Sequence, residues 1–213
     1  MNYPLLALDA ALGRASAVLL MPDGTSLAAE SEGDRSHSRT LVPMLENLLG
    51  QADIGWHDLR MLALGVGPGS FTGLRIAAAT FAGINASLSL PVLSISSLAI
   101  TAAQAGTDDE LWVLEDARSG EVFVGHYQDN QAVEDDRCMG WEALQQVAAS
   151  KYVSVATPPV VLSGWQQLDR PINRTEAMAG VVKNALCHTE ISELPRYVQP
   201  AYLQVSQAER NLQ

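Results

Sequence analysis

Asp9 and Asp116 each follow a short apolar run, Leu5–Leu8 and Leu111–Leu114, where a strand should give way to a turn. A carboxylate placed there suits a divalent cation beside a nucleotide, if the next turn lets backbone N–H groups reach phosphate. Arg118-Ser119-Gly120 supplies such a turn, whereas Ala10-Ala11-Leu12 offers neither glycine nor hydroxyl before Gly13. Asp9, Asp116 and Arg118 are therefore the candidates for a remnant or shared nucleotide site. The plainer alternative is a pair of turn-stabilising aspartates.

The second candidate is the glycine loop Gly65-Val66-Gly67-Pro68-Gly69-Ser70-Phe71-Thr72-Gly73. A P-loop needs four residues between its glycines and then Lys-Ser/Thr, because the lysine reaches the terminal phosphates. Here Gly73 is followed by Leu74-Arg75. A dinucleotide loop fits better in its glycine spacing, but it wants an acidic residue roughly 20 positions on for the ribose. No acid occurs between Arg75 and Asp108. Gly67, Pro68, Gly69, Ser70 and Gly73 thus read as a tight strand-to-helix turn, with Ser70 or Thr72 capping the helix behind it.

Metal and nucleophile chemistry find less support. Two histidines at i and i+4 on a helix could share a metal, but His37 is followed by Leu41, and His57, His126 and His188 are scattered. No metal is expected. Ser70 sits in no G-x-S-x-G elbow. Cys138 and Cys187 are far apart without ligand spacing, and two idle thiols in a reducing compartment are expected over a disulfide.

The elements that must position these residues follow from pattern. Leu5–Leu8, Ala15–Met21 and Leu27–Glu30, with the turn Pro22-Asp23-Gly24-Thr25, predict an antiparallel meander. Leu41, Met44, Leu45, Leu48 and Leu49 share one helical face, and Thr40 as cap would put Pro43 in the first turn, whereas an earlier start at Ser36 would demand a kink. Met61–Leu64 is a strand leading into the glycine loop. The helix after it is apolar nearly all round: no charge occurs from Ile76 to Thr107, and Ala77, Ala78, Ala79, Ala82, Gly83 and Ala86 would let another helix approach closely. Pro91–Ser94 predicts a strand and Ser97–Ala105 a helix.

The pattern then begins again. LWVLEDARSGEVFVGHY repeats the strand, carboxylate, glycine turn and strand of LLALDAALGRASAVLL, which suggests two related lobes, 1–106 and 107–213. Beyond it the expectation is a charged loop at Asp129–Arg137, a helix at Trp141–Ser150, and short strands at Tyr152–Val155 and Val160–Leu162. A small-residue helix at Glu176–Cys187 and an extended tail at Leu194–Leu203 complete it.

The net charge is -11, with 8 acids and 5 bases in residues 1–106 against 16 and 8 in residues 107–213. That balance opposes autonomous nucleic-acid binding by charge neutralisation. Thr80, Asn85, Ser87, Ser89 and Pro91 interrupt the uncharged stretch well short of the roughly 18 apolar residues a membrane span needs. Met1-Asn2-Tyr3-Pro4 has no basic n-region. A cytoplasmic protein with no membrane contact is expected.

Several motifs together resemble the TsaB/YeaZ family of bacterial tRNA threonylcarbamoyladenosine biosynthesis proteins, within the actin-like and Hsp70-like ATPase superfamily. The most specific is Gly67-Pro68-Gly69-Ser70-Phe71-Thr72-Gly73-Leu74-Arg75-Ile76. His37-Ser38 with Leu41-Val42-Pro43, Asp116-Ala117-Arg118-Ser119-Gly120-Glu121-Val122-Phe123 and Pro200-Ala201-Tyr202-Leu203 accompany it. The resemblance implies an α/β fold of two actin-like (ASKHA) lobes, with mixed five-stranded-type sheets flanked by helices and the second lobe reduced. It implies a non-catalytic scaffold or activator without a cofactor of its own. Such a subunit would pair with a catalytic TsaD-like subunit, work with a TsaE-like ATPase, meet tRNA only through the complex, and form a homodimer when alone. Helix packing between subunits would run through residues 38–50 and 70–87, with Leu41, Leu45, Leu48, Arg75, Ala78, Phe81, Ala82 and Asn85 at the interface. Ala10-Ala11 and Phe81–Asn85 depart from the family pattern. The rival expectation is an autonomous glycoprotease-like hydrolase or ATPase of the same superfamily.

Overall fold

The computed structural model describes residues 3–31, 37–148 and 150–204, with the side chains of His37 and Ser38 outside that description. The first sheet holds β1 (Leu5–Asp9), β2 (Ser16–Leu20), β3 (Ser26–Glu30), β4 (Met61–Gly65) and β5 (Val92–Ile95) in the order β3-β2-β1-β4-β5. β1, β2 and β3 form the expected antiparallel meander, and β4 and β5 add in parallel. The second sheet holds β6 (Leu111–Arg118), β7 (Glu121–Gln128), β8 (Gln131–Gly140), β9 (Lys151–Val153) and β10 (Gln166–Gln167) in the order β10-β9-β6-β7-β8. The first strand of each set is central, antiparallel to its hairpin partner and parallel to the fourth strand. One topology is therefore used twice, as the sequence repeat suggests.

Alternation along the central strand divides the first core. Leu6 and Leu8 face α1 (His37–Gln51) and α2 (Phe71–Leu88), whereas Leu5 and Ala7 face α5 (Arg174–Cys187). α5 thus returns from late in the chain to cover the first sheet through Ala177, Met178, Ala179 and Val182. Between the sheets lies α3 (Ser97–Ala103), which sends Ile100 into the first core and Leu98 and Ala102 into the second. The outer face of the second sheet is covered by the single turn α4 (Trp141–Leu144) and by Trp112, Tyr152 and Trp165. Among the described residues no disulfide joins Cys138 and Cys187.

Four local expectations are corrected. α1 starts at His37, so Pro43 lies inside the helix and not in its first turn. The supposed charged loop 129–137 is mostly strand β8: Asp129 and Asn130 take positive φ values of 52° and 57° and turn the chain tightly. β8 is a sheet edge exposed over Gln131–Asp135, where charged residues keep other strands from pairing. The helix at 141–150 shrinks to α4. The strand expected at Val160–Leu162 is absent among the described residues, and β10 forms at Gln166–Gln167 in its place.

Candidate functional site

Asp9 ends the central strand of the first sheet and is fully buried. Arg174 Nη2 and Nε donate to its Oδ2 at 2.7 and 3.2 Å, and Ser97 Oγ donates to its Oδ1 at 2.6 Å. Arg174 is held in turn by Thr101 Oγ1 at 3.1 Å and the Ser97 carbonyl at 3.3 Å. Both oxygens of Asp9 are thus committed to protein donors, and a guanidinium supplies the positive charge beside them. A buried carboxylate needs such partners. Of the three residues expected at a nucleotide site, Asp116 and Arg118 line the interlobe cleft and Asp9 does not.

The glycine loop is built against this network. Ser97 Oγ accepts from Gly67 N at 3.2 Å, and Ser97 N donates to Gly67 O at 2.8 Å. Ser70 N donates to Ala11 O at 2.7 Å, which ties the loop to the turn after Asp9. A methyl group on Gly73 would stand 2.0 Å from Ala10 O, and one on Gly69 would stand 2.4 Å from Ala11 O. The glycines thus permit backbone contact with the first turn. Pro68 is buried beside them, and Ser70 caps α2 by accepting from Gly73 N at 3.3 Å.

Between the lobes lies a cleft of about 780 Å³. Its walls are the β1–β2 turn, the start of α2, Glu115–Ser119, Val155–Thr157 and the tail Ala201–Gln204. Asp116 and Arg118 line it, and Arg118 N donates to Asp116 Oδ1 at 3.1 Å. Glu115, unremarked as a site residue in the sequence, is 3% exposed and accepts from Val155 N. Burial pushes its carboxyl up from 4.5 to about 7, against the lowering pull of the Val155 N–H and then of Arg174. Because the folded state holds this proton more tightly, Glu115 contributes stability below its ordinary value of 4.5, lost as pH rises through about 7. Glu115→Gln should flatten that part of the stability profile, measured by urea unfolding across the same interval. An unchanged slope would remove Glu115 as its source.

The expected interface residues separate by burial. Leu41, Leu45 and Leu48 are 1%, 0% and 0% exposed and pack on the first sheet, as do Ala77 and Phe81. A buried leucine contributes about 1.5–3 kcal/mol to its own core, and here the stripe is spent there. Asn85 is buried too: its amide donates to Leu90 O at 2.9 Å and Arg196 O at 2.6 Å, and its Oδ1 accepts from Leu90 N. Leu41, Leu45, Leu48, Phe81 and Asn85 are thus engaged within the chain's own fold. Ala78 and Ala82 are half-buried and Arg75 is exposed. The exposed side of α2 is Thr72, Arg75, Ala79, Gly83, Ala86 and Ser87, a continuous helical stripe.

Arg174, Ser97, Thr101 and Gln104 were not picked out from sequence. An arginine at the first position of a helix opposes the helix dipole, and Asn173-Arg174 carried that signal. Glu115 alternates with Val113 and Ala117 on the inner face of β6, a period-two cue. Among the described residues no three His, Cys, Asp or Glu side chains gather as a metal site. The His37 side chain, singled out as a ligand candidate, lies outside them. No helix among them is long and apolar enough to cross a membrane.

The doubled 3-2-1-4-5 sheet order with a cleft between the lobes defines an actin-like α/β protein. The family model described as "TsaD: tRNA N6-adenosine threonylcarbamoyltransferase" matches residues 31–159. YeaZ from Pseudomonas aeruginosa superposes with a TM-score of 0.73 at 27% identity, covering 94% of this chain and 100% of that one. The tRNA threonylcarbamoyladenosine biosynthesis protein TsaB of Haemophilus influenzae is 26% identical over 93% of this chain and 88% of its own. Its Escherichia coli namesake is 35% identical over 58% of this chain and 54% of its own. The chain belongs to the TsaD family, on the side of its TsaB/YeaZ relatives.

Proposed function

We propose that this chain is a non-catalytic subunit that docks a TsaD-type catalytic subunit and holds it in working form, so that threonylcarbamoyl is transferred to tRNA adenosine. The observation that carries the reading is the exposed side of α2. Ala79, Gly83 and Ala86 face outward with no charge among them, in a chain of net charge -11. Small residues at this spacing let a second helix approach closely, and a bare apolar side on a globular surface favours a cover. Arg75 closes one end of the stripe, and Val42 on α1 is 40% exposed. The sealing of Asp9 by Arg174 supports the non-catalytic part of the reading. In this reading the two lobes divide near residue 106, with α5 and the tail crossing back onto the first. A TsaE-type ATPase and tRNA join through the assembly, and the free subunit pairs with itself through the same side of α2. Any nucleotide held between subunits would meet Asp116 and Arg118.

Ala79→Glu tests this. An unpaired charge sealed into an interface costs about 3–5 kcal/mol, or a weakening of about 100-fold or more. Binding of the TsaD-type subunit, measured by calorimetry with Ala143→Glu on α4 as control, should fall by that factor for Ala79→Glu alone. Wild-type affinity in Ala79→Glu would overturn the docking reading.

A further inference from the structure

The last described residues leave the first lobe and finish on the second. From Leu194 the chain runs extended beside α2 in the opposite direction. Pro195 O accepts from Val92 N at 2.8 Å, Arg196 O accepts from Asn85, and Ala201 N donates to Val66 O at 2.8 Å. Tyr202 then lies against Phe71 at the start of α2, with ring centroids 4.7 Å apart. The Arg75 guanidinium stands 3.7 Å from the Phe71 ring centre, and its Nε donates to Tyr202 Oη at 3.4 Å. Leu203 joins the apolar cluster that contains Leu12 and Ala117. Gln204 ends on the second lobe, where its Nε2 donates to Ala117 O at 2.8 Å and to Glu121 Oε2 at 2.6 Å.

We propose that residues 202–204 are a displaceable strap that closes the interlobe cleft in the free chain, and that docking on α2 releases it through Tyr202. The trigger rests on the docking reading above; the strap itself does not. Its two ends are held unequally. Upstream bonds to Val92, Asn85 and Val66 belong to the first lobe and fix the tail along α2. Among the described residues beyond Leu203, the hold on the second lobe is the Gln204 side-chain amide. Between them Tyr202 is 46% exposed, and its partners Phe71 and Arg75 stand at the end of the exposed α2 stripe. A helix laid along Thr72, Arg75 and Ala79 therefore competes with Tyr202 for the guanidinium and the ring face. Once Tyr202 lets go, Leu203 and Gln204 lose their lead and the wall they form swings away.

Hydrogen exchange on the intact chain tests both parts. In Tyr202→Ala/Gln204→Ala, amides of 69–74 and 115–119 should exchange about tenfold faster, while those of 5–9 and 61–65 keep their rates. Unchanged cleft walls, or equal acceleration of the core strands, would overturn the strap. With the TsaD-type subunit added to wild type, amides of 71–88 should slow and those of the cleft wall 115–119 should speed up about tenfold. Slowing of α2 without acceleration of 115–119 would overturn the coupling and leave docking intact. No slowing of α2 would sink docking and its trigger together, and the strap would then be decided by the double variant alone.

Discussion

Arg174→Met is expected to destabilise the chain by about 3–5 kcal/mol, because it leaves the Asp9 carboxylate buried without its counter-charge. For a chain of this size that is a fall in melting temperature of about 6–20 °C. Three features place the effect at the upper end of single substitutions. Asp9 has no solvent exposure, Ser97 satisfies only one of its oxygens, and Arg174 also ties α5 to α3 through Thr101. Adding Asp9→Asn removes the stranded charge while keeping an acceptor for Ser97. The double variant should recover more than half of the loss. Thermal unfolding of the four combinations measures this, and a loss under about 1 kcal/mol in Arg174→Met would show that the pair does not anchor α5.

Gly73→Ala should cost about 3 kcal/mol or more, at or beyond the usual range for overpacking. Its methyl group would sit 2.0 Å from the carbonyl oxygen of Ala10, and that atom belongs to backbone which cannot rotate aside. Either α2 moves outward or the turn after β1 moves away from the loop, and both disturb the Ser70–Ala11 hydrogen bond. Gly83→Ala is the matched control, because a methyl group there meets nothing within 4 Å and alanine favours a helix. A melting temperature for Gly73→Ala within 2 °C of wild type, by the same scale, would mean that the close approach is not enforced.

The first lobe was largely legible because each of its strands is a short apolar run bounded by turn residues, and Gly67, Pro68, Gly69 and Ser70 mark the start of α2 strongly. The second lobe was harder for physical reasons. β8 is an edge strand whose exposed residues carry charge, so composition there resembles a loop. Its outer sheet face is covered by indole and phenol rings: Trp165 stands edge-on to Trp112 and to Tyr152 at 5.9 and 6.2 Å. Large rings cover a sheet with few residues, so the helix expected at 141–150 is needed for only one turn, Trp141–Leu144. The leucines of α1 are ambiguous for another reason. An apolar stripe at helical spacing serves a core and a docking face equally, and only burial separates them. The Asp9–Arg174 pair joins positions 165 residues apart, a separation that local pattern does not span.

That separation sets an order of events during synthesis. A nascent chain emerging only through β10 has both sheets in hand but not the helix that covers Leu5, Ala7, Val18 and Leu20. Until α5 arrives, this side of the first sheet is open and Asp9 lacks its guanidinium. Closure of the earliest lobe is therefore among the last steps of folding, and the half-made protein carries its most adhesive face while still tethered to the ribosome.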